Sequence, residues 1–120
     1  MTTESKRRTI TLTDRAPVRI VDSEWPRIAR GSGHDGEVEC QANHQWFINV
    51  RQHADGRTIV YGGVIEGLGG MRAGESEHRG GEMLTPGSDL AAAIRRVGDD
   101  CGVRDETVRE CIASLPAEDL

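Results

Sequence analysis

Lysine is almost missing from this chain. Lys and Arg together number 15 in 120 residues, and Lys6 is the single lysine. A phosphate-binding P-loop needs a lysine within its glycine-rich turn, so nucleotide hydrolysis of that type is excluded. Aromatic side chains are equally scarce, with Trp25, Trp46, Phe47 and Tyr61 making up 3%. No apolar run approaches the ~18 residues that a membrane-crossing helix requires, and no membrane partner is expected. The three cysteines, Cys40, Cys101 and Cys111, contain no C-x-x-C spacing. They read as free thiols in a reducing compartment rather than as a disulfide framework. The opening "MTTESKRRTITLT" has basic residues but no apolar segment behind them. A secretory leader is therefore not expected, and a cytoplasmic location is.

What is present points to one soluble α+β domain spanning 1–120, a length at the mode for single domains. Net charge is −5 and uneven. Residues 1–35 hold seven basic and five acidic side chains, whereas residues 81–120 hold four and nine. Because nucleic acids are bound largely by cations that neutralise phosphate, this distribution counts against a DNA-binding C-terminal end.

The hydrophobic pattern alternates through the first half. "RTITLT" and "PVRIV" are short half-buried strands joined by a turn, and "DSEWPRIA" reads as a short helical turn pinned by Trp25 and Ile28. "RGSGHDG" reads as a loop and "EVECQA" as a strand. Two β-rich runs, "HQWFINVRQH" and "RTIVYGGVI", flank "ADG", which predicts a hairpin with a bulge at Gly56. In that register Val50 faces Val60, Ile48 meets Gly62 and Trp46 faces Val64. Phe47, Ile59 and Tyr61 then fall on the opposite face, so the central strands are expected to be covered on both sides. Between positions 62 and 81 there are eight glycines, and a flexible Gly-rich loop is expected at about 66–82.

The C-terminal third is helical. Ser88 is the expected N-cap of a helix whose stripe is Leu90, Ala93, Ile94, Val97 and Cys101, and Gly102 suits the left-handed stop. Asp105 is expected to cap a second helix carrying Val108, Cys111, Ile112 and Leu115, ended by Pro116. The predicted fold is an antiparallel β-meander of three to five strands followed by two C-terminal helices.

From about Ile94 to Ile112 the chain resembles the helix-turn-helix of bacterial repressors. The likeness rests on Gly98, Gly102, Val103, Val108, Cys111 and Ile112, with Thr107 just before Val108. Small residues let two helices cross closely and apolar ones lock the crossing. The resemblance implies DNA contacts from Arg104, Thr107 and Arg109. The face that would meet DNA, however, reads Arg104, Asp105, Glu106, Thr107, Arg109, Glu110, three acids against two arginines. The order "WFINVRQHADGRTIVYGG" followed by "LAAAIRRVG" resembles integrase-arm DNA-binding domains, in which a three-stranded sheet backed by a helix reads the groove. This second likeness implies a sheet presenting Arg51 and Arg57.

No catalytic constellation is evident. Ser32 lacks a strand-to-helix elbow, and "GLGGMR" lacks the third glycine of a dinucleotide fingerprint. Cys40 and His44 have no second pair of metal ligands, so no metal or cofactor is expected. The function expected is a small non-enzymatic binding or regulatory module. Its partner would be a protein or a second copy, engaged by Trp25, Tyr61, Met71, Arg72, His78 and Arg79. Two alternatives stay open: a DNA-binding regulator using 94–112, and an enzyme.

Overall fold

The structure is a computed structural model that describes residues 6–35, 44–66 and 76–116. It contains six strands and two helices: β1 (Arg7–Ile10), β2 (Val18–Val21), β3 (Arg27–His34), β4 (His44–Gln52), β5 (Thr58–Glu66), β6 (Ser76–Leu84), α1 (Leu90–Cys101) and α2 (Asp105–Ala113). β3 to β6 form an antiparallel sheet in chain order, and β1 and β2 form a separate antiparallel pair. The expected α+β meander with two C-terminal helices is the observed fold.

The β4–β5 register is the one the alternation predicts. Val50 pairs with Val60, Ile48 with Gly62 and Trp46 with Val64. Gly56 turns the hairpin with φ 95°, a conformation that any side chain would strain. Its flanks are tied by His53 and Arg57, whose backbone N–H and C=O meet at 2.9 Å.

Both faces of the sheet are buried. On one, Trp46, Ile48, Val50 and Val60 pack against Ala93, Ile94, Val97 and Cys101 of α1 and Val108 and Cys111 of α2. On the other, Ile59 and Tyr61 pack with Ile10, Leu12, Ile20 and Trp25 beneath the β1–β2 ribbon, with Phe47 at the margin. The molecule thus has three layers: ribbon, sheet, helices. Each fully buried Ile or Val contributes about 1.5–3 kcal/mol relative to exposure.

One cation is buried in the ribbon layer. Arg51 Nε donates to the Tyr61 hydroxyl at 2.9 Å and its Nη1 donates to the Trp25 carbonyl at 3.0 Å. The same guanidinium lies 3.7 Å from Asp22, which also binds Arg8. Arg51 therefore clamps the ribbon to the sheet. The groove-reading role that the second likeness implies for it is corrected, because a side chain enclosed in this way presents nothing to DNA.

Four local expectations also change. Asp105 is the first residue of α2 rather than its cap, which falls on Arg104 with no side-chain bond. "RGSGH" is strand, not loop: β3 runs through Gly31 and Gly33, and a Cβ on Gly31 would sit 2.3 Å from the Thr107 carbonyl of α2. The glycines let a helix backbone lie directly on the strand. Of "DSEWPRIA", residues 22–25 form the expected single helical turn, with the Trp25 N–H bonded to the Val21 carbonyl at 3.2 Å. Arg27, Ile28 and Ala29, however, already belong to β3. Asp89, one residue beyond Ser88, caps α1 by accepting from the Ala92 N–H, while the Ser88 hydroxyl donates back to the Thr85 carbonyl.

The second part of the expected Gly-rich loop is also strand, since β6 begins at Ser76 and pairs with β5 as far as Thr58↔Leu84. Gly80 and Gly81 are buried in it; a Cβ on Gly80 would meet Thr13 Oγ1 and Cys101 Sγ. Residues 67–75, and the expected strand at 37–42 with Cys40, lie outside the described residues.

Candidate functional site

Among the described residues, two concavities flank the helical layer. The larger, ≈ 730 Å³, lies between the start of α1 and the end of α2. Its polar side chains are engaged in local structure: Asp89 caps α1, Ser88 binds Thr85, and Gln52 donates to Thr58. The second, ≈ 460 Å³, lies where α1 stops, and there the aromatic and charged groups converge.

This second cleft is built by the ends of three strands and the inter-helix turn. His44 and Trp46 come from β4, Val64 from β5 and His78 from β6, all on the helix-facing side of the sheet. Asp99, Asp100, Cys101, Gly102 and Arg104 close the opposite wall. Gly102 adopts φ 76° and returns its N–H to α1 carbonyls, the expected left-handed stop. This turn aims Arg104 back over the sheet. Its guanidinium stacks 4.4 Å from the centre of the Trp46 ring, a cation–π contact. Beneath it the Trp46 Nε1–H donates to Thr107 Oγ1 at 2.7 Å.

The remaining wall groups are anchored. His78 Nε2 donates to the Asp100 carbonyl at 2.9 Å, and His44 Nδ1 donates to the Asp35 carboxylate at 2.6 Å. Burial pushes the Cys101 thiol up to about 11, with the Asp100 charge adding to the effect. Its Sγ–H points to the Gly62 carbonyl at 3.6 Å. A thiol held protonated in this way is a packing group, since the thiolate is the nucleophile. Asp99 and Asp100 stand exposed in the last turn of α1, which has no basic residue. Acids at that negative end of a helix oppose the dipole.

The sequence-derived residues are dispersed by the fold. Trp25 and Tyr61 are buried, in the core under the ribbon, so neither is an exposed anchor. His78 and Arg79 are adjacent in β6 and point to opposite faces: His78 lines the cleft, whereas Arg79 stacks over Phe47 on the ribbon side. Met71 and Arg72 lie outside the described residues. Of the DNA-contact set, Thr107 is buried and bonded to Trp46, and Arg109 pairs with Asp105 on the outer face of α2. Arg57 pairs with Asp55 and covers the Trp25 ring.

The structure instead brings His78 together with Trp46 and Arg104, which sequence reasoning assigned to separate roles. The inter-helix glycine was the available signal, because it determines where residue 104 points.

Comparison with known families, curated proteins and solved structures returns no match.

Proposed function

We propose that this chain is a non-enzymatic binding module that docks a protein segment in the cleft between the α1–α2 turn and the ends of β4 to β6. The observation that carries this reading is the exposed Arg104 guanidinium lying on Trp46 above an open concavity. Trp and Arg are the side chains most enriched at the energetic centres of protein interfaces. A stacked pair already held in place also loses little rotamer freedom on binding. His78 and the acids of α1 supply the polar rim that such interfaces carry.

A DNA-reading hairpin at 94–112 has less support. The outer face of α2 carries Asp105, Glu106, Arg109 and Glu110, all exposed, and the Thr107 hydroxyl is occupied inside the fold. Cys101, the thiol that lines the cleft, is kept protonated by burial and so is a poor nucleophile.

A photo-crosslinking residue placed at Asp99, on the exposed rim of the cleft, should capture a discrete protein from native extract, and the same residue at Arg95 should not. The purified partner should then bind Arg104→Glu and His78→Glu at least about tenfold more weakly than wild type, roughly the 1.4 kcal/mol of a modest hot spot. Unaltered binding by both variants would remove the cleft from consideration.

A further inference from the structure

The outermost layer of the molecule has a character opposite to that of the helices. Residues 6–21 hold five cations, Lys6, Arg7, Arg8, Arg15 and Arg19, against one acid, Asp14. Pairing of Arg8 with Ile20 and of Ile10 with Val18 turns those residues toward the sheet. Successive side chains on a strand alternate, so Arg7, Thr9, Arg19 and Val21 form the outward face. Arg7 and Arg19 are diagonal neighbours there, about 7–8 Å apart by the geometry of antiparallel pairs.

The chain's own acids are placed to leave this face positive. Asp22, at the end of β2, is occupied by Arg8 through two bonds of 3.1 Å and faces the buried Arg51, while Asp14 stands exposed in the connection between β1 and β2. Glu24 stands exposed one turn further on. Arg7, Arg15 and Arg19 are exposed and make no ion pair among the described residues, in contrast to Arg96 with Glu82 and Arg109 with Asp105. The acidic helical pair lies across the sheet, two layers away. The net charge of −5 thus conceals a basic face and an acidic face on opposite sides.

We infer that the outer face of the β1–β2 ribbon binds the phosphate backbone of a nucleic-acid duplex, independently of sequence. Guanidinium groups match phosphate oxygens in bidentate fashion, and the exposed hydroxyls of Thr9 and Thr11 are suited to the same oxygens. A two-stranded ribbon is also among the elements that the major groove of a duplex admits. This surface is separate from the protein-docking cleft, and from the helix-turn-helix-like segment.

The test is fluorescence anisotropy with a labelled random-sequence duplex of about 20 base pairs, at about 50 mM and about 200 mM NaCl. Binding should weaken steeply with salt. The double variant Arg7→Ala/Arg19→Ala should bind at least about tenfold more weakly, with a log–log salt slope smaller by about 2. Arg7→Lys/Arg19→Lys should restore most of the affinity, which shows that the loss is one of charge rather than of folding. Arg104→Ala/Arg109→Ala should match wild type. Absence of salt-sensitive binding, or an equal loss in the Arg104/Arg109 variant, overturns the inference. So does low-salt self-association in sedimentation that Arg7→Ala/Arg19→Ala abolishes, because the ribbon would then meet the acidic face of a second copy.

Discussion

Trp46 and Thr107, 61 residues apart in sequence, share a buried hydrogen bond of 2.7 Å that joins the central sheet to α2. Gly33 makes the approach possible, since a Cβ there would lie 2.4 Å from the indole nitrogen. Arg104 then rests on the same ring, so one indole positions both the helix and the cation of the candidate site.

Replacing Thr107 by Val keeps the shape and removes the acceptor. The indole N–H would be left without its partner in a buried setting, at a cost of about 1–3 kcal/mol. Urea denaturation followed by Trp fluorescence should show a lower midpoint with an unchanged slope.

The crossing of the two helices depends on a second glycine. A Cβ on Gly98 would lie 2.5 Å from Val108 Cγ2. Gly98→Ala should therefore destabilise the fold by about 1–3 kcal/mol through overpacking, despite the better helix propensity of alanine. Adding Val108→Ala should return part of that loss, and the double-mutant cycle would measure the coupling.

Asp22 governs part of the acid limb of stability. Its hydrogen bond with Arg8 holds the carboxyl below the usual aspartate range, with Arg51 contributing, while desolvation opposes both. The unfolded chain consequently binds its proton more readily, so stability falls as pH drops from the ordinary carboxylate range through the lower folded value. Asp22→Asn should be less stable than wild type at neutral pH and should flatten the decline below about pH 4.

Cys101 and Cys111 should be inert in the native chain at pH 8. Burial pushes their thiols up to about 11 and about 12 respectively. Iodoacetamide with peptide mapping should label both only after denaturation. The same shifts stabilise the fold up to the ordinary thiol range. That contribution is lost as pH rises from about 8.5 toward the folded values.

Much of the fold was legible in local pattern. Period-two alternation with an Ala-Asp-Gly link sufficed for the β4–β5 register, because a one-residue slip would turn every core side chain to the wrong face. The helical stripes and Gly102 were legible for the same kind of reason. β3 and β6 were not. Their glycines carry no apolar signal, and they are there because Thr107, Thr13 and Cys101 press against the strand backbone. Only the partner element explains them.

The candidate site shows the same division. Composition and spacing determined the presence of two helices, a set of free thiols without paired spacing and a basic first third with an acidic last third. Tertiary packing alone decided that Trp25 and Tyr61 are buried, that His78 and Arg79 part to opposite faces, and that Trp46, Arg104 and His78 meet in one cleft. It also decided that the two charged ends of the chain lie on opposite sides of a sheet. Periodicity records which side of an element is apolar, but it does not record which other element covers that side. Functional surfaces depend on the covering, and the covering is set by contacts between residues far apart in the chain.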